Sequence, residues 1–339
     1  MVYSRFRMPP NDVAPSRPSW TILATIAGFA IVTVYCTYLT VYMTDVATGA
    51  IVEAESLKQY REALSGTSEF PYQWRLLGTY LVWAGERLTG LHPHTIAVVL
   101  ETVLLFASAT TLFRFARLQQ LSEVGSLCVT AFYLLATAVG FSDHFRIYFT
   151  NDYVMIACWF AAVYFIATDR YWMAALMTFI GAWAKETMLL VPLLVLLRRR
   201  QGRAGNAAVA ATVLAFLVPT VVLRSLYRAP IGKWAWWQMI FINLPFVYLG
   251  RRMLAIAVKN NLKFLMLYNA LWIVAARALA KAARGTLARD LALTGAIYLV
   301  LAFGVVVVGE LRHFLPLAII VLPAAIGALE RRSATTPAS

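Results

Sequence analysis

Across 339 residues the chain is 61% hydrophobic and 14% charged, with a mean hydropathy of +0.69 and a formal net charge of +14. A soluble domain carries roughly 25% charged residues, so this composition excludes one. Apolar runs of about 20 residues, each long enough to cross a hydrocarbon core of ~30 Å, recur from end to end. The positive charge is no nucleic-acid signature, because no basic stripe interleaved with stacking aromatics stands clear of those runs. Much of it reads as loop charge that orients membrane spans.

Arg5, Arg7 and Arg17 precede the first run, residues 20–43. By the positive-inside rule this puts the N-terminus in the cytoplasm. A basic, Pro-rich leader with no small-residue cleavage site after the run reads as a retained helix, not a cleaved signal. Residues 44–92 then form a first extracytoplasmic loop with interfacial helices, of which 76–88, interrupted by Glu86 and Arg87, is expected to be amphipathic and to lie at the interface. Spans follow at 93–113, ending at Arg114 and Arg117, at 124–140, which returns outward, and at 153–168, which returns inward to Asp169 and Arg170.

The run 171–197 is broken only by Lys185 and Glu186. As one span it would put Arg198, Arg199, Arg200 and Arg203 outside and leave two charges near mid-membrane, at about 2.5–3.5 kcal/mol each. Split in two, it keeps the arginines cytoplasmic and turns Lys185-Glu186 outward. Each half is then only about 20 Å long, which implies a water-filled hollow reaching into the bilayer from outside. Further spans are read at 207–226, 265–279, 291–308 and 315–329, with a Trp-rich second outer segment at 228–263 and a disordered tail at 333–339. The expected fold is therefore all-α: a single polytopic transmembrane bundle, residues 1–332, of about ten spans with both ends cytoplasmic. No internal repeat is visible. Cys36, Cys128 and Cys158 lie within apolar runs without paired spacing, so core packing is their expected role.

On this topology a set of polar residues from distant loops faces outward. Asp45 either ends the first span against water or acts as a general base for an acceptor hydroxyl. Arg75, in FPYQWRLL with Tyr72 beside it, is either an interfacial anchor or a bidentate phosphate grip. Asn151 and Asp152 either cap the helix of the 153–168 span or line a site. Lys185 with Glu186 is a structural ion pair or part of that site, and Glu310, Arg312 and His313 form a local ion-pair knot or another wall of it. His92 and His94 around Pro93 read as a helix start. Asp143, His144 or Asp45 would be the ligands of a divalent metal, but no ligand spacing supports one, and no cofactor is expected.

At these residues the chain resembles the GT-C-type integral membrane glycosyltransferases, in particular small bacterial members that use polyprenyl-phosphate sugars. The likeness rests on an acidic residue after the first span, a long first outer loop, short central helices, and the stretches PYQWRLL, AKETMLLVP and GELRHFLPL. The resemblance implies a multi-pass protein of the bacterial inner membrane with its active site facing the periplasm. It further implies inverting transfer of a sugar from a polyprenyl-phosphate donor to a glycan, lipid or protein acceptor. By position it makes Asp45 the base and Arg75, Lys185 and Arg312 the phosphate-side cations, with Tyr72, Asn151, Asp152, Glu186, Glu310 and His313 lining the site. The first loop lacks the Asp-x-Asp pair of larger relatives, which argues against a metal-dependent mechanism. Three rival readings use the same outward charges: a transporter or flippase of a lipid-linked or anionic solute, a ligase or polymerase acting on a diphosphate-linked glycan, and a non-catalytic assembly subunit.

Overall fold

The structure, a computed structural model, describes residues 28, 30–35, 37, 50–67, 75–141, 146–198, 203–226, 251–305 and 311–335. Residues 28, 30–35 and 37 are helical, and twelve α-helices follow from residue 50 on: α1 (Ala50–Ser65), α2 (Leu77–Thr89), α3 (Pro93–Leu118), α4 (Glu123–Gly140), α5 (Arg146–Ala167), α6 (Tyr171–Ala182), α7 (Leu190–Arg198), α8 (Arg203–Leu226), α9 (Arg251–Tyr268), α10 (Leu271–Ala280), α11 (Leu287–Val305) and α12 (Ala318–Thr335). Two 3-10 stretches, Glu186–Leu189 and Leu311–Leu317, precede α7 and α12. No strand occurs among the described residues.

Five helical runs of the described residues are long and apolar enough to cross a membrane, and a sixth is counted if the bent pair Asn261–Tyr268 and Leu271–Ala280 is one span. The chain is thus a helical, membrane-embedded protein. Of the apolar window of α5, 78% is buried, against 28% for α8. The run Leu311–Ser333 is as deeply buried as α5; α5 packs against α2, α3, α6 and the Leu311–Leu317 stretch, while α8 lies at the periphery.

Local chemistry sets the helix ends. Pro93 opens α3, where its missing N–H is one of the donors a helix start leaves unpaired anyway, and the His92 ring accepts from the His94 N–H at 3.4 Å. Ser122 caps α4 by accepting from the Gly125 N–H at 2.9 Å. Asn269 takes a left-handed φ of +47°, and the chain bends there by 74° between α9 and α10.

Pairings along the helices sort the bundle into two ends. Thr150 at the start of α5 bonds Glu101 in α3, Lys185 after α6 meets Asp152, and Gly140 at the end of α4 lies against Arg312 and Leu315. At the opposite end Ser122 before α4 bonds Glu330 late in α12, and Arg198 ending α7 reaches Asp290 and the Gly285 carbonyl before α11. The last turns of α3, α7 and α12 (Arg114, Arg117, Arg198, Arg331, Arg332) and the turns after α5 and α10 (Arg170, Lys281, Arg284) carry cations at this second end.

Several expectations change in detail. The 171–197 run is split as read, into helices of 12 and 9 residues. The 76–88 stretch is a helix but does not lie alone at an interface. Gly78 abuts Thr150 and Asn151 of α5, and Gly85 meets Ile96 of α3, so α2 stands antiparallel to α3 and is packed into the bundle. The 265–279 run is broken at residues 269–270. The last helix continues to Thr335, past residue 332 where a tail was expected. Residues 20–27, 38–49, 68–74, 142–145 and 227–250 lie outside the described residues. With them lie most of the first span and most of the second outer segment.

Candidate functional site

The site is assembled where helices stop. Lys185, at φ −163°, is extended and ends the α6 direction. The break leaves the Trp183 carbonyl free, and it accepts the Leu76 and Leu77 N–H groups at 3.2 Å each. Those are donors that the start of α2, with no side-chain cap, would otherwise leave unpaired. Residue 75 is thereby fixed beside residue 186. The Arg75 guanidinium grips the Glu186 carboxylate through Nη2 at 2.5 Å and Nε at 3.3 Å, the fork geometry that suits arginine to carboxylates and phosphates. The Arg75 side chain is 8% exposed and that of Glu186 is 52% exposed, so the pair forms the rim of the site.

Beneath it lies a group in which Asp152, Lys185 and His313 are buried and the Arg312 side chain is 11% exposed. Lys185 Nζ donates to Asp152 and lies 3.0 Å from His313 Nδ1. An ammonium has no lone pair, so Nδ1 accepts and the imidazole carries its proton on Nε2. The Arg312 Nε lies 3.6 Å from the second Asp152 oxygen, and its guanidinium stacks over the Phe149 ring at 4.2 Å. Next to Asp152, Asn151 accepts from the Gly78 N–H at 2.7 Å and donates to Thr79 at 3.4 Å. It stitches α5 to α2. A Cβ on Gly78 would fall 2.5 Å from the Asn151 nitrogen, so only glycine permits this approach.

The segment bearing Arg312 and His313 is held by its carbonyls. A 3-10 stretch containing Pro316 cannot pair them in the α pattern, and three rings from three helices accept that role. Tyr298 of α11 donates to the His313 carbonyl, Tyr268 of α9 to that of Phe314 at 3.2 Å, and Trp159 of α5 to that of Pro316 at 2.9 Å. Rigid backbone therefore aims Arg312 at Asp152 and His313 at Lys185.

Six of the ten site residues expected from sequence meet here: Arg75, Asp152, Lys185, Glu186, Arg312 and His313, with Asn151 on the adjoining seam. That makes seven described residues in one place; Asp45, Tyr72 and Glu310 lie outside the described residues. Asn151 and Asp152 are not helix caps, because α5 begins at Arg146 and both lie inside it. Among the described residues in ion-pair contact here, Arg75, Lys185 and Arg312 stand against Asp152 and Glu186, three cations to two carboxylates, an excess of one positive charge. Among the described residues no three His, Cys, Asp or Glu side chains gather as metal ligands.

Glu101 was overlooked in the sequence. It is 4% exposed within α3 and accepts from Thr150 at 3.3 Å, one residue from Asn151. A single carboxylate eight residues into an apolar run was the available signal. It places the polar layer about 12 Å below the start of α3, at ~1.5 Å per residue. Rim pairing is also seen further out, where Tyr60 of α1 donates to Glu86 of α2 at 2.7 Å. Burial and that hydrogen bond push the Tyr60 phenol above its ordinary value, so it remains a donor. What the geometry offers chemically is a fixed, positively biased nest at the end of several short helices, suited to an anionic group. No protein family, curated protein or solved structure matches the chain.

Proposed function

We propose that the protein is a GT-C-like membrane glycosyltransferase that moves a sugar from a polyprenyl-phosphate donor to an acceptor hydroxyl, with inversion. The observation that carries this reading is the convergence of Arg75, Lys185 and Arg312, from three separated parts of the chain, on two carboxylates. In the reaction the acceptor oxygen bonds to the anomeric carbon as the bond from that carbon to the phosphate oxygen breaks. The hydroxyl proton goes to a carboxylate, for which Asp45 is the proposed base. Polyprenyl phosphate leaves with a growing negative charge, and fixed cations in a water-poor site stabilise it without reorganising. Arg75 at the rim makes the direct contact in this scheme. Lys185, 3% exposed and held by Asp152 and His313, acts from behind by its charge.

The topology belonging to this proposal has about ten spans, both termini in the cytoplasm of a bacterium, and the site facing the periplasm. The grouping of cationic turns at the end of the bundle opposite the site supports that orientation. The test is transfer from a labelled polyprenyl-phosphate hexose by purified protein in lipid nanodiscs. Asp45→Asn is expected to abolish transfer while donor binding persists, and Arg75→Ala to weaken donor binding. Unchanged turnover by the first variant would remove Asp45 as base, and unchanged affinity in the second would remove Arg75 from the phosphate site.

A transporter of an anionic lipid-linked solute is the second reading, favoured by the buried Glu101 and Asp152 within membrane-capable helices. Movement of a labelled lipid-linked sugar across sealed vesicles without formation of a glycoside would select it.

A further inference from the structure

From the end of the bundle opposite the site towards its middle, α10, α11, α12 and Leu317 line a groove of about 350 Å³, within the roughly 300–1,000 Å³ range of ligand pockets. Its walls are apolar, with Trp272, Leu279, Leu299 and Ile320 among them, and small residues such as Ala292 and Gly295 leave the space open. Ala276 and Ala296 on the facing helices are exposed, as is Leu293 at 46%, so the groove opens sideways onto the apolar surface of the bundle. Arg289 is the one charged side chain in its wall.

We propose that this groove holds an acyl chain of an anionic bilayer phospholipid, with the lipid phosphate at Arg289. Charge complementarity selects the occupant. Arg289 lines the groove and is exposed, as are Arg277 in the last turn of α10 and Lys281 and Arg284 in the turn that leads to α11, and no carboxylate among the described residues pairs with them. Asp290 is the nearest in sequence, and it faces Arg198 at 3.7 Å instead. Arg198 in turn donates to the Gly285 carbonyl at 2.9 Å, which ties the turn between α10 and α11 to the end of α7. A basic rim over an apolar slot between membrane helices is the arrangement that takes a lipid headgroup and its tail together. A zwitterionic lipid would leave the rim charge unanswered, and a soluble anion would leave the slot empty. Arg289 lies about 14 Å along α11 from Tyr298, at ~1.5 Å per residue, so the headgroup position is separate from the polar cluster, while the inner end of the slot, at Leu299 and Leu317, adjoins the segment that braces it.

The experiment is lipid retention by the intact protein. Protein purified in mild detergent is equilibrated with equal amounts of phosphatidylglycerol and phosphatidylcholine, and bound lipid is read by native mass spectrometry with no sugar donor present. Wild type is expected to retain phosphatidylglycerol in preference, with the preference falling about fivefold for each rim cation removed, in Arg289→Gln and then Arg289→Gln with Lys281→Gln. Ala292→Leu, which fills the slot, is expected to release the lipid while leaving the rim intact. Equal retention of both lipids by wild type overturns the proposal. So does an unchanged preference in the exposed-site variant Arg289→Gln, which has no buried contact to lose. Displacement of phosphatidylglycerol by a polyprenyl phosphate at equal concentration would assign the groove to the donor tail and also overturn it. Since no turnover is read, failure of the transferase reading leaves this result untouched.

Discussion

Removing the Asp152 carboxylate is the sharpest test of how the polar layer is held. Its side chain and that of Lys185 are each 3% exposed, so solvent does not screen the pair as it screens a surface ion pair. Asp152→Ala removes the carboxylate that Lys185 donates to and that Arg312 faces at 3.6 Å. Breaking a buried pair by deleting one partner costs about 3–5 kcal/mol, because an uncompensated charge stays behind. Lys185→Met should cost less, since Arg312 remains 3.6 Å from Asp152 as a second counter-ion. The double variant should recover part of the loss, with a coupling of about 1–3 kcal/mol between the two sites. The assay is reversible unfolding of the purified protein in mixed micelles, titrated with dodecyl sulfate and followed by far-ultraviolet circular dichroism. If each single variant loses less than about 1 kcal/mol and the two losses add, the pair does not organise the layer and the reasoning fails.

Other consequences can be checked with the same protein. Gly78→Ala should lower stability by about 1–3 kcal/mol, because the new Cβ meets Asn151 backbone, which cannot swing aside like a side chain; an unshifted unfolding midpoint would contradict the close approach. Trp159→Phe keeps the ring but strands the Pro316 carbonyl, with an expected loss of about 1–3 kcal/mol in the same titration. Ser122→Ala removes the cap of α4 and the side-chain bond to Glu330, leaving the bond from its backbone N–H, for about 0.5–2 kcal/mol. Glu186→Gln should tighten binding of a polyprenyl-phosphate sugar, measured by equilibrium binding in nanodiscs, since it frees the Arg75 fork from a competing carboxylate. Weaker binding would show that Glu186 itself touches the donor.

What the sequence made legible was cost. Lys185 and Glu186 interrupt an apolar run at a penalty of several kcal/mol, which is enough to infer a break without coordinates, and the two helices of 12 and 9 residues flank it. Pairing was not legible. Nothing in the order of residues says that Lys185 meets Asp152 across 33 positions, or that its neighbour Glu186 turns instead to Arg75 across 111. Asn151-Asp152 resembled a cap because the polar stretch before it looked like loop, yet α5 begins five residues before Asn151. Tyr268, Tyr298 and Trp159 were invisible as braces, since an aromatic in an apolar helix reads as packing until a carbonyl is found at its polar tip. Pro316 was the overlooked clue. A proline inside LRHFLPL forces the preceding backbone out of the α pattern, and the carbonyls it strands need donors.

The breaks explain why the polar layer sits at one level. Inside a membrane each unpaired backbone group costs several kcal/mol, so an interrupted helix survives only where other groups of the protein can pair with it. Three interruptions occur in the described chain, at 183–189, 269–270 and 311–317, and they answer one another. The Trp183 carbonyl takes the donors of the α2 start, Tyr268 beside the second break serves the third through Phe314, and the third delivers His313 to Lys185 at the first. Moving the third along its helix by a turn, ~5.4 Å, would strand groups at the other two, and moving either of those would strand its partner group in the third. Once the breaks are locked in register, charged side chains can be carried at that depth with partners already in place. The cationic excess of the cluster is thus supported by backbone hydrogen bonds as much as by its own ion pairs, and substitutions at Trp159 or Tyr298 should disturb anion binding without touching a charge.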